Sequence, residues 1–199
     1  MPTSSNWFRF YSRYRWGGLI SRGCLAGPVV TGAVILPKDF NHKLIRDSKT
    51  LSEKQRDEVY ELIIKNAIAY SVQASSVKII DKYNITEATF IAMNKCLDDL
   101  IINQKQDIKH ILVDGIVFNQ YKEIKYTCVV KGDNTYTCIA AAAIVAKVER
   151  DNYMKKLHEI YPEYDFFSNK GYGTATHIKA IKEHGLTQSH RKLFVRNFI

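Results

Sequence analysis

The sequence predicts an α/β fold built on one sheet. Segments of apolar, β-branched residues alternate along the 199-residue chain with segments of helical spacing, and no internal repeat or low-complexity linker divides them. With 46% hydrophobic residues, a chain of this length suits one well-buried core and is short for two.

The elements follow in order. Residues 28–36, PVVTGAVIL, are β-branched and apolar and are stopped by Pro37, which reads as a buried strand. A polar loop containing RDSKTLS (46–52) leads to a helix over 53–66, where Ser52 and Gln55 form a capping box and Val59, Leu62 and Ile63 recur at helical spacing. Residues 67–75 alternate as a strand. A short helix over 77–82 and a longer one over 86–102 come next, the second with Ala88, Ile91, Ala92, Cys96 and Leu100 on one side. HILVDG (110–115) and KYTCVV (125–130) are short strands. The run CIAAAAIVAKVERDNYMKKLHEIY (138–161) is a long helix, and a last helix spans about 176–184.

The charge balance points to a polyanion. Twenty-nine Lys and Arg against 20 Asp and Glu leave a net charge of +9, and clustered cations gain free energy by releasing counterions from phosphates. A generically basic protein explains the same balance. Cys24, Cys96, Cys128 and Cys138 show no CxxC pair and no histidine at metal spacing, so neither zinc nor a disulfide framework is indicated and a reducing compartment fits. No apolar run reaches the ~18 residues of a membrane span. Residues 1–38 carry five basic residues and no acid, a bias shared with transit peptides, yet they run without a linker into a core strand.

Four constellations carry chemical promise. Asp114 follows an apolar strand, where α/β sheets place functional groups, although an Asp-Gly turn explains it equally well. Asp133, in VVKGDNTYT, sits at another strand-to-helix junction, or caps the helix. Together they could hold Mg²⁺ or Mn²⁺ through carboxylate oxygens, but a two-ion site ordinarily takes three or four carboxylates. SRGCLAG (21–27) sets small residues beside Arg22 for close approach to a phosphodiester. KGYGT (170–174) presents Tyr172 between glycines beside Lys170, which suits a ring against a sugar or base with a cation for the phosphate; packing is the alternative. His190, with Arg191 and Lys192, forms a basic cluster that a solvated tail also accounts for.

Taken in order, SRGCLAGPVVTGAVILP, RDSKTLSEKQR, NITEATFIAM, ILVDG, KGDNTYTCIAAAAIVAKVERD, YPEYDF and NKGYGTATH with HRKLF resemble bacterial ribonuclease HII over residues 22–194. The resemblance implies a ribonuclease H-like fold, with one mixed sheet flanked by helices and a helical C-terminal portion. It implies an endonuclease that cleaves RNA in RNA–DNA hybrids, and 5′ to single ribonucleotides in duplex DNA, by metal-assisted hydrolysis with Mn²⁺ or Mg²⁺. The products are a 3′-hydroxyl and a 5′-phosphate, and the setting is a cytoplasmic, monomeric repair and replication enzyme. By resemblance Asp114 and Asp133 are catalytic and metal-binding. Arg22 and Gly23 surround the 2′-hydroxyl, Ser48 and Lys49 contact phosphate, and Tyr172, flanked by Lys170, reads the RNA–DNA junction.

One departure matters. The family's first strand ends Asp-Glu-Ala-Gly-Arg-Gly; aligned on Arg22 and Gly23, this chain has Gly18, Leu19, Ile20 and Ser21, and Ala143 replaces a serine further on. Residues 1–21 are therefore set apart as an atypical segment and 22–199 as the ribonuclease HII-type domain. Three readings of the gap follow: a relative that binds hybrids without cutting, an acid such as Asp47 recruited instead, or residues 1–20 from a shifted frame or wrong start. The last is favoured, because the resemblance begins abruptly at Arg22.

Overall fold

The structure is a computed structural model; it describes residues 7–11 by their backbone and residues 24–40, 42–45 and 51–199 in full. Five strands form one mixed sheet: β1 Trp7–Tyr11, β2 Val29–Ile35, β3 Ala69–Ser75, β4 His110–Asp114 and β5 Lys125–Val129, in the order β3-β2-β1-β4-β5. The first three pair antiparallel in succession, while β4 and β5 run parallel to β1. Four strands lie where the sequence places them. The fifth, β1, was not expected, and it occupies the centre of the sheet from within the segment set apart as atypical.

The helices are α1 Glu53–Asn66, α2 Val77–Asp98, α3 Gly132–Thr135, α4 Thr137–Ile160, α5 Phe166–Asn169, α6 Ala175–His184 and α7 Lys192–Val195. The capping box of α1 is present: Ser52 Oγ accepts from Gln55 N–H at 3.2 Å, and Gln55 Oε1 accepts from Ser52 N–H at 3.0 Å. Within α2, Asn84 takes a left-handed φ of 68°, and its Oδ1 accepts from the Thr86 and Glu87 amides. It thereby stops one helical segment and caps the next. That kink is the break read from the sequence between 82 and 86.

Both sheet faces are apolar because successive side chains alternate across the strands. Ala33, Ile35, Ile111 and Val113 face α2 residues Phe90, Met93, Cys96 and Leu97. Val34 and Leu112 face α4 and α1 through Ile139 to Val145, Val59 and Ile63. The alanine run lets α4 come close: a Cβ on Gly32 would stand 2.5 Å from the Ala142 carbonyl oxygen. A third cluster, with Leu25, Met154, Tyr164, Phe166, Ile181 and Val195, docks the C-terminal portion on α4.

Candidate functional site

Asp114 ends β4, on the α4 face by alternation with Leu112, and is buried. Its Oδ1 accepts the Gly132 amide at 2.8 Å, and Gly115 N–H donates to Val129 O at 2.9 Å, so the ends of β4 and β5 are tied to the start of α3. A side chain at Gly132 would meet Ile139 at 2.5 Å and the Asp114 carboxylate at 3.4 Å. Asp133, the next residue, is buried in α3. The junction therefore brings the two sequence-predicted acids to one corner of the sheet.

Beside them, β1 pairs with β4 so that Phe10 stands opposite Val113, which sets Tyr11 level with Asp114. No residue of WFRFY is an acid. Among the described residues no cluster of three or more His, Cys, Asp or Glu could hold a metal ion. Asp114 and Asp133 suit one hard cation completed by water and phosphate oxygens, since Mg²⁺ is commonly held by one or two carboxylates plus substrate. They do not by themselves suit a pair of ions.

The second half of the site is the Tyr172 turn. Gly171 has φ 82°, and a Cβ there would lie 2.6 Å from Ala26 O, so only glycine lets the turn press against the 24–26 segment. Leu25 N–H donates to Gly171 O at 2.8 Å, and Cys24 bridges Tyr172. Arg150 of α4, buried, lies beneath: one terminal nitrogen donates to Lys170 O at 2.9 Å and to Cys24 Sγ at 3.1 Å, and its guanidinium carbon is 5.6 Å from the Tyr172 ring centroid. That places a cation against the ring face. Among the described residues its nearest acid is Asp151, at 3.9 Å, which also pairs with Lys147 and, at 3.8 Å, with Arg56.

A chain of hydrogen bonds ends on the same turn. The Tyr172 carbonyl can only accept, so His177 Nδ1, 2.9 Å away, carries a proton and donates. In its neutral form His177 Nε2 is then an acceptor, and His190 Nε2, at 3.1 Å, donates to it. His190 Nδ1 in turn accepts from Thr187 N–H at 3.0 Å. Burial pushes both imidazoles below their ordinary value, His190 to about 4, with His177 beside it adding to the fall.

The remaining site expectations divide. Arg22, Gly23, Ser48 and Lys49 lie outside the described residues, as do Gly18, Leu19 and Asp47. Lys170 is half-buried, with its ammonium donating to Phe167 O and lying over that ring. The basic cluster at the tail is no solvated patch: His190 and Arg191 are buried, and Arg191 donates to Gly27 O at 2.8 Å and Pro28 O at 3.0 Å. Sequence reasoning missed Arg150 and His177; each lies on a helix whose periodicity accounts for it, and only the fold brings Tyr172 to them.

The fold has a counterpart among solved structures: the chain superposes on the ribonuclease H2 of Pyrococcus horikoshii with a TM-score of 0.73, over 90% of this chain and 93% of that one, at 23% identity. Sequence relatives define the class. The ribonuclease HII of Bacteroides thetaiotaomicron is 51% identical over 173 residues, 87% of this chain and 84% of the relative, and that of Bacteroides fragilis is 50% identical over the same length. The ribonuclease HII family model matches residues 20–198. This chain belongs to the ribonuclease HII family, whose activity is that of a ribonuclease H, an endonuclease on RNA–DNA hybrids that uses divalent metal ions.

Proposed function

We propose that this protein recognises RNA–DNA junctions in duplexes and cuts 5′ to a ribonucleotide, leaving a 3′-hydroxyl and a 5′-phosphate, as a monomer in the cytoplasm. The observation that carries the reading is the placement of Tyr172 on a glycine turn fused to the 24–26 segment, immediately after Arg22 and Gly23. A backbone loop and a tyrosine ring at fixed separation can read the 2′-hydroxyl and the sugar without reading base sequence. Arg22 and Gly23 would approach the ribose, Ser48, Lys49 and Lys170 the phosphates.

Asp114 and Asp133 would hold Mg²⁺ or Mn²⁺ beside the scissile phosphate. Such an ion, when bound, supplies charge neutralisation and a more acidic attacking water. The Gly132 amide orients the Asp114 carboxylate and takes up part of its charge. Burial of both acids restricts competing water.

The experiment is cleavage of a labelled DNA duplex holding one ribonucleotide, with Mg²⁺ or Mn²⁺ and with chelator. Metal-dependent cutting 5′ to the ribonucleotide supports the reading; cutting elsewhere, or none with either metal, counts against catalysis by this chain. A second reading, a hybrid-binding protein impaired in cleavage, is favoured by Gly18 and Leu19 at the family's acidic positions and by an acid-free β1 beside Asp114. It predicts salt-sensitive binding to the same duplex, unchanged by chelator and without turnover.

A further inference from the structure

We propose that His177 and His190 are positioning residues for junction recognition: their hydrogen-bond chain holds the Tyr172 carbonyl and so the Tyr172 ring. The role rests on the reading of Tyr172 as the junction-contacting residue. The direction of the chain is forced. Thr187 N–H donates to His190 Nδ1, His190 Nε2–H donates to His177 Nε2, and His177 Nδ1–H donates to Tyr172 O, at 3.0, 3.1 and 2.9 Å. Every ring nitrogen is used, and both imidazoles must be neutral for that.

An added proton on His177 Nε2 would face the His190 Nε2–H across 3.1 Å; one on His190 Nδ1 would displace the Thr187 amide, 3.0 Å away, and turn to Thr187 Oγ1, also at 3.0 Å. The charge would also enter a ring cluster, with Tyr164 and Phe166 centroids 4.8 and 5.9 Å from His190 and Phe166 5.2 Å from His177. The titratable and charged groups around the pair are Tyr164 from the 3-10 turn at 162–164, His184 at the end of α6, reached through the Tyr164 ring, Arg191 beside His190, and Arg150 and Lys170 about Tyr172. None of these groups is an acid, so the pair is held neutral at neutral pH and the direction of the chain is fixed.

The test measures affinity, needing no catalysis. The ratio of affinities for a duplex with one RNA–DNA junction and for the all-DNA duplex is measured at pH 7.5 and fixed ionic strength, with the far-UV spectrum of each variant checked as native. His177→Leu should lower the ratio about tenfold, the size of one lost aromatic contact, while all-DNA affinity does not fall. His177→Asn, whose amide can still donate to Tyr172 O, should restore most of the ratio. If Tyr172→Ala collapses the ratio but His177→Leu keeps it, the positioning role is wrong. If Tyr172→Ala itself leaves the ratio unchanged, the reading of Tyr172 fails and this inference with it.

Discussion

At Asp114 one carboxylate oxygen is already taken by the Gly132 amide at 2.8 Å, and an asparagine can keep that bond through its own amide oxygen. Asp114→Asn should therefore fold normally and lose metal-dependent cleavage by at least about 10²-fold, the order expected when one charged group at a reacting centre is neutralised. Rate and melting temperature measured together separate the two; retained activity with normal folding would show that the acid lies outside the site. Asp114 and Asp133 were legible because both follow short strands at junctions rich in glycine and polar residues. Of the two readings of the His190–Arg191 cluster, the solvated tail fails for a physical reason: the partners of these residues, the 24–28 segment and His177, come together only in the fold. A run of cations in sequence looks solvated until the carbonyls of Gly27 and Pro28, more than 160 residues earlier, are seen to receive one of them.

Among the elements, the packing of α4 on β2 is a close joint that can be tested. Gly32→Ala would set a methyl 2.5 Å from a backbone oxygen of Ala142, which only a shift of helix against sheet relieves. The expected cost is about 1–3 kcal/mol, read from the denaturant midpoint. The docking of α6 and the tail carries a pH signature. His190 has its folded value lowered to about 4 from 6.5, so the unfolded chain binds more protons in that window. Its contribution is complete above about pH 6.5 and is lost as pH falls toward 4, amounting to about 2 kcal/mol between pH 8 and pH 5. Unfolding free energies at those pH values should show the fall, and a His190→Asn variant should show a smaller one, since His177 is lowered by burial as well. Strands β2 to β5 and helices α1, α2, α4 and α6 were legible because each repeats its period several times. Helices α3, α5 and α7, at four residues each, are single turns with no period to detect. Strand β1 was not legible because WFRFY has no apolar alternation of its own, and its place between β2 and β4 is settled by pairing across the whole sheet.

On the proposed reading, the whole molecule separates substrate recognition from chemistry. The C-terminal portion, the 24–28 segment and the Tyr172 turn form one hydrogen-bonded unit, supported by Arg150 and by the His177–His190 chain. The acids stand at the other joint, between β4 and α3, and the central strand beside them supplies no carboxylate. Binding and cutting should therefore respond differently to one change. A chain carrying Asp-Glu-Ala-Gly at positions 18–21 adds two acids just before Arg22 and Gly23 and leaves every residue of the recognition unit untouched. Its cleavage of a duplex with one ribonucleotide should exceed that of the unaltered chain by several orders of magnitude, since each recovered ligand contributes about 2–4 kcal/mol to the transition state. Its affinity for the same duplex, measured in chelator, should change by less than about tenfold, because two added negative charges weaken phosphate attraction only modestly. Equal cleavage by both chains would mean that other groups complete the site and that the departure at Gly18 and Leu19 has no catalytic consequence. A gain in binding as large as the gain in cleavage would mean that positions 18–21 shape the recognition surface as well, and the two functions are not separable in this protein.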